Sequence, residues 1–447
     1  MTQTTNEKLS FDAVGFESFM ELRNEPDWVS AIRREAWAKF LTLSWPSQRD
    51  EEWMRTDIRL FNLNKFSLAT DSEDGQPNST DGSALPTPLL SSGVELGGQH
   101  LCLDGQTRHA ELAEKLAAKG VLFGSLSQHL QSHGDLLRPH FMKRAFNFSQ
   151  DRFAALHAAF WSDGTLLYVP RNVTIGLPLH VLTALSDGGV DTSHTLVILE
   201  DGAEATLLTE TASSGSSPNA GGLHCGSVEV IMGQRTRLRY VSLQDWAQGV
   251  WHFAHQKAIV DRDASLQWTV GALGSRLSKV NQHVELVGIG AESQVNGVMF
   301  TENKQHLSYH TLQHHRAENC RSDFLYKAAL QDSSRTVWRG MIKVDQCAQK
   351  TDGYQRNDNL LLSRSARADS IPGLEIEADD VRCTHGSTSG RVDEELIFYA
   401  RARGFTRQEA IRMIVTGFFQ QVFDRVTIES VREALGLAIA RRVRDYE

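Results

Sequence analysis

Cys383 and His385 stand two residues apart in DDVRCTHGSTSGRVDEELIFY, residues 379–399, and a run of small residues, Gly386 to Gly390, follows them. In an extended chain, side chains at i and i+2 share one face. A soft thiolate and a borderline imidazole pointing the same way suit iron, zinc or copper. Two ligands do not complete a tetrahedral site, so a metal or cluster held here needs ligands from elsewhere. The plainer reading of Cys383 is a buried small hydrophobe, the common fate of a free cysteine. The plainer reading of His385 is a core histidine, but such a residue does not need glycine and small neighbours.

A second grouping, KQHLSYHTLQHHRAENC, sets His306, His310 and His314 at four-residue intervals, on one face of a strand and near one face of a helix. Three aligned imidazoles can bind metal. A polar seam of hydrogen-bonded histidines is the competing reading, so their role stays open.

Other chemistry is missing. The sequence has no G-x-x-x-x-G-K-[ST], no G-x-S-x-G and no H-E-x-x-H, and GIGAES at 288 is only a fragment of a dinucleotide fingerprint. A complete active site within this chain is not expected. The net charge of -9 argues against a nucleic-acid surface as the main function. Five scattered cysteines without a C-x-x-C encode neither a disulfide framework nor a self-contained zinc site. No apolar run is long enough to span a membrane, and MTQTTNEKLSFDAVGF has the layout of neither a secretory signal nor a transit peptide. The expectation is a cytoplasmic, reduced protein.

The elements that must position Cys383 and His385 come from periodicity. NEPDWVSAIRREAWAKFLTLSW places Trp28, Ile32, Ala36, Phe40 and Leu41 on a helical stripe ending before Pro46. The stretch 72–88 is polar and rich in Gly, Pro and Ser, which reads as a linker. Helices are expected near 108–119 and 123–134. From about residue 160 short apolar strands recur, each after a polar turn: EDGAEATLL, MGQRTRLRYV, DRDASLQWTV, GIGAESQVNGV and QDSSRTVWRG. The first four are spaced by about thirty residues, the period of a solenoid. An antiparallel sandwich or barrel also shows short strands; the regular period favours stacked parallel coils. Beyond 393 the chain turns helical. Thr406 and Glu409 form a capping-box pattern, with Ile411, Ile414, Val415, Phe418 and Val422 behind it, and Val431, Leu435, Ala438 and Ile439 mark a second helix. These helices either cap the solenoid or dock a partner.

Read together, KTDGYQRNDNLLLSRSARADSIPGLEIEADDVRCTHGSTSGRVDEELIFYARARGF, with FLYKAALQD, VWRGMIKV and RDEEWMRTDIRLF, resembles the SufB/SufD family of the SUF iron–sulfur cluster assembly system. The resemblance implies a mainly β fold, a right-handed parallel β-helix flanked by helical regions. It implies a non-catalytic scaffold subunit that pairs with a paralogous β-helix chain, while each binds one copy of the SufC ATPase. In the SufB branch a sulfur-accepting cysteine follows a proline in the strand before the Cys–His region; here the matching position is Ile376. The cysteine-rich motif of SufB's N-terminal part is absent as well. The chain more closely resembles the SufD branch, whose Cys-x-His-Gly motif would fall on Cys383 and His385, although Ser387, Thr388, Ser389 and Gly390 replace the usual Ala-Thr-Val-Gly. His385, and with less weight Cys383, is then a candidate ligand to iron or to a transient cluster shared with SufB. Flavin at the level of the complex is compatible with the family but falls on no residue here. The implied plan is a helical region over 1–70, a linker over 71–95, a mixed segment over 96–159, the β-helix over 160–392 and a SufC-binding helical region over 393–447. A carbohydrate-active β-helix enzyme of pectate-lyase architecture is the competing class, and a self-sufficient SufB-like scaffold is a third; the lack of a secretory signal counts against the former and Ile376 against the latter.

Overall fold

The computed structural model describes residues 8–69, 85–215 and 217–444. Most of the linker expected over 71–95 lies outside the described residues.

Strands about thirty residues apart in sequence pair side by side and in parallel. Glu204 lies beside Arg237, then Ser265, Glu292, Arg321, Asp352 and Arg382 in successive coils of one sheet. A second sheet repeats the pattern through Leu277, His306, Arg335 and Arg367. The core is thus a parallel β-solenoid, as the repeat predicts.

The polar turns explain the repeat. Gly202, Arg235, Asp263, Gly290, Asn319 and Lys350 all adopt left-handed backbone at equivalent corners. The N–H of each donates to a carbonyl one coil further on, at Gln234, Arg262, Ile289, Glu318, Gln349 and Asp380 respectively. A left-handed residue is what turns the chain while keeping its N–H aimed at the next coil, which is why Gly, Asp and Asn recur there.

Between the sheets, inward side chains such as Trp268, Val280, Val295, Tyr309, Phe324, Tyr326 and Trp338 form one continuous core. Burying a side chain of this size contributes roughly 1.5–3 kcal/mol. Both outer faces are covered too. Helices Asp27–Thr42 and Arg152–Phe160 cover the second sheet, where Phe153 stacks on Phe253 with ring centroids 3.7 Å apart. The buried stripe of Asp27–Thr42 is Val29, Ile32, Arg33, Ala36, Trp37 and Phe40, whereas Leu41 faces outward. Helices Arg407–Phe423 and Glu429–Arg442 lie along the first sheet, with Val415, Phe419 and Leu435 against Val241, Val298, Phe300 and Leu325. They flank the solenoid and do not cap it. The capping box of Thr406 and Glu409 is formed.

The segment before the core departs from the helices expected near 108–119 and 123–134. Gln106–Leu112 is a strand, antiparallel to Gly98–Leu103, and only Glu114–Ala117 is helical. Asp104 and Gly105, both with positive φ, make the tight turn between the two strands; this Asp-Gly dipeptide is the hairpin signal that outweighs helical spacing. Leu122–Ser125 is likewise a strand, and the helix starts at Leu126.

The corners give a first test. A Cβ at Gly290, where φ is +74°, would lie 2.6 Å from the Asp263 carboxylate, whereas one at Gly436, within the helix Glu429–Arg442, meets nothing within 4 Å. Gly290→Val is expected to destabilise by about 1–3 kcal/mol, and Gly436→Ala to stabilise by about 0.5–1 kcal/mol. Urea unfolding of the two variants measures both; equal midpoints would contradict this account of the corners.

Candidate functional site

Arg382–Arg391 is the last strand of the first sheet and pairs only with Asp352–Leu361; Arg367–Ile376 is the last of the second and pairs only with Arg335–Val344. Among the described residues no strand covers either outer edge. The end of the solenoid is open, and the rim holds the predicted pair.

Register fixes where the two side chains point. Cys383 lies beside Gly353 and His385 beside Gln355, both on the inward-facing row of the preceding coil. Glycine at 353 makes room, since a Cβ there would stand 3.3 Å from the Cys383 sulfur. Cys383 packs half-buried against Ile342, Val344, Ala348 and Ala378. His385, two residues on, is exposed on the same inward row because no further coil stacks on it. Burial pushes the Cys383 thiol above its ordinary range, and nearby Asp352 adds to this while a hydrogen bond with the Gly353 backbone opposes it. The sulfur is thus held as S–H, and a metal arriving there must displace that proton.

The small residues after the pair also have a structural task. The Asn359 amide donates to Asn357 Oδ1 at 2.9 Å, Ser370 Oγ at 3.0 Å and Ser389 Oγ at 3.2 Å, and Thr388 donates to Asp358 at 2.6 Å. A polar lock of this kind holds the final strand in register without a following coil. The lock replaces apolar packing that an open end cannot supply.

Ile376, where the SufB branch has cysteine, ends the neighbouring strand as a half-exposed aliphatic residue. Among the described residues no group of three or more His, Cys, Asp or Glu is arranged to hold a metal. No third such residue joins Cys383 and His385. The three aligned histidines lie elsewhere, on the outer face of the strand His306–His315. There they separate: His314 bonds Asp345 at 2.8 Å, His306 neighbours Arg335, and His310 neighbours Arg339.

A second surface was not resolved to residues by sequence reasoning. The helix Glu394–Arg401 buries only Ile397; Leu396, Phe398 and Tyr399 stay exposed, with Phe398 at 74%, as do Phe405 and Met413 further along the chain. The signal was present in the apolar run LIFY on a helix too short to bury all four. Several large apolar side chains left exposed within one short stretch make this a candidate interaction surface.

Comparison with known proteins places this geometry. Residues 181–418 match the family profile described as the SufBD core domain of SUF system FeS cluster assembly, and residues 18–181 match the SufBD protein N-terminal region. The chain is 27% identical over 443 residues to the iron–sulfur cluster assembly protein SufD of Bacillus subtilis, covering 99% of this chain and all of that protein. It is 34% identical over 298 residues to a SufBD family protein of Mycobacterium leprae, covering 65% of this chain and 74% of the relative. A SufBD family protein of Staphylococcus epidermidis is 26% identical over 92% of this chain and 88% of its own length.

Thiol chemistry tests the site. Cys347 is exposed, Cys383 half-buried, and Cys102, Cys225 and Cys320 buried. An aromatic disulfide reagent should titrate Cys347 first, Cys383 more slowly, and the other three only after denaturation. Labelling of Cys383 before Cys347 would show that its sulfur is not shielded as described.

Proposed function

The chain belongs to the SufBD family of the SUF iron–sulfur cluster assembly system, and from that membership we propose that it is a SufD-like scaffold subunit whose open solenoid end meets a SufB-like chain. Its place in iron–sulfur cluster assembly follows from the family; the two junctions below are the proposal. The observation that carries the first is the coincidence of an unpaired sheet end with an incomplete ligand pair. A second β-solenoid abutting the rim would satisfy the edge strands and bring the ligands that Cys383 and His385 lack. The cluster is cargo, built at the junction and passed on, and the chain's own chemistry is to present an imidazole and a displaceable thiol proton. Flavin is assigned to no residue.

The second junction is the apolar patch of Leu396, Phe398, Tyr399 and Phe405, which we assign to a SufC-like ATPase. The helices behind it are anchored on the solenoid by Val415, Phe419 and Leu435, so the patch is presented on a rigid base.

Two measurements separate the junctions. In a co-expressed complex, His385→Ala should leave subunit stoichiometry unchanged while iron and sulfide content falls by on the order of tenfold, since packing does not replace a lost ligand. Normal cluster loading in the assembled variant would remove the ligand role, and failure to assemble would make His385 an interface residue. Phe398→Asp should weaken ATPase association by about 2 kcal/mol or more, with pairing to the SufB-like chain retained. Undiminished ATPase binding by Phe398→Asp would rule out the patch.

A further inference from the structure

The outer face of the second sheet changes character along the solenoid. Phe253, Lys279, Ser308 and Val337 are neighbours across four strands, and the adjoining row is His255, Asn281, His310 and Arg339. His283 lies in the next row, beside Lys257. Carboxylates satisfy the bases at the margins: Asp151 stands 3.2 Å from His255, and Glu285 stands 2.6 Å from Lys257. At the centre, among the described residues, no carboxylate forms an ion pair with Lys279 or His310. Lys279 is 2% exposed, and its ammonium nitrogen has no hydrogen-bond partner among the described residues. Lysine is almost never buried in this way without a partner, because desolvating the charge is costly.

Residues 46–62, without helix or strand, form the roof. Trp53 lies over Lys279, with the nitrogen 5.4 Å from the ring centroid, and Thr56 donates to Ser308 at 2.9 Å. Glu51, largely exposed, accepts from Arg339 at 2.6 Å. A flexible carboxylate thus already reaches one member of the basic group from the solvent side.

We propose that Lys279, His283, His310 and Arg339 form a binding site for a tetrahedral oxyanion of the phosphate class, with Glu51 as the internal carboxylate that competes for Arg339. A dianion set among an ammonium, two imidazoles and a guanidinium gains charge-assisted hydrogen bonds from each. The electrostatics agree with this geometry. Burial holds Lys279 down to about 7, with Arg339 adding to the effect and Glu52 and Asp151 opposing it. Burial, with Lys279, Arg339 and His283 nearby, takes His310 down to about 2. His283 falls to about 4 through burial and the charges of His255, Lys257 and Lys279, against Glu285. An anion supplies a hydrogen-bonded opposite charge to the unpaired Lys279 and restores a proton to it. Binding therefore takes up a proton and weakens as pH rises above about 7.

Sulfate is the probe for pH dependence, since it stays doubly charged, and inorganic phosphate and phenyl phosphate are the competitors. Thermal melts and calorimetry compare each anion with chloride at matched ionic strength, because sulfate also stabilises proteins by exclusion from their surfaces. Lys279→Met should melt higher than wild type in chloride, because it removes an unpartnered buried amine, yet lose the extra rise in sulfate. Its sulfate affinity should fall at least tenfold. Glu51→Gln should bind sulfate severalfold more tightly than wild type, and wild-type affinity should be greater near pH 6.5 than near pH 8.5. Phenyl phosphate competing as well as inorganic phosphate assigns the site to a phosphate ester; competition by inorganic phosphate alone assigns it to the free anion. An equal sulfate response in wild type and Lys279→Met overturns the proposal. So does a lower melting temperature of Lys279→Met in chloride, or unchanged affinity in Glu51→Gln.

Discussion

A parallel solenoid cannot terminate itself. Each coil's N–H and C=O groups are satisfied by the coils before and after it, so the ladder always leaves one row unpaired at each end. At the start of this molecule the difficulty is met by reversal: Gln106–Leu112 runs antiparallel against Gly98–Leu103, and Leu122–Ser125 antiparallel against Gly164–Val169. The other end has no such reversal among the described residues, and the edges of Arg367–Ile376 and Arg382–Arg391 stay open. Pro372, which has no N–H to donate, sits in the outermost strand, where proline is tolerated. Cys383 and His385 are placed by this constraint. One coil earlier they would be sealed in the core, and on the outer face they would lie along the flank. On the last inward row they lie at the open rim.

The flanks follow from the same geometry. Strands buried on both faces need apolar residues on both, and helices from opposite ends of the chain supply the outer cover. The cover is uneven. Along the second sheet the aromatic packing around Phe253 gives way, within one strand spacing, to Lys279, and the roof there is an irregular segment. A face that needed only burial would be apolar throughout, whereas the amine of Lys279 lies buried beneath Trp53 without a hydrogen bond among the described residues. On the first sheet Val415, Phe419 and Leu435 complete the cover, which frees the short helix Glu394–Arg401 to project Phe398 and Tyr399 outward.

Much of this was legible in one dimension. The thirty-residue recurrence of turn and strand identified stacked coils because every coil must place a left-handed residue at the same corner. Thr406 and Glu409 announced a helix start because the capping box is a local bond pair. The two-residue spacing of Cys383 and His385 established a shared face, since alternation along a strand is a property of short stretches. Local pattern misled where two signals overlapped: the helical spacing near 108–119 lost to the Asp104–Gly105 turn, whose backbone requirement is the more stringent.

Four features lay beyond the reach of the linear chain: which coil ends the stack, which row faces inward, where the terminal helices rest, and which bases find a carboxylate. His306, His310 and His314 are alike in sequence, yet one meets Asp345 while another lies among Lys279, His283 and Arg339. Their difference is set by strands about thirty residues away on either side and by residues 46–62, more than two hundred positions earlier. Alternation along a strand is a local property, fixed by backbone geometry over two residues. The neighbours on a sheet, and with them burial, partner and charge state, exist only once distant coils have stacked.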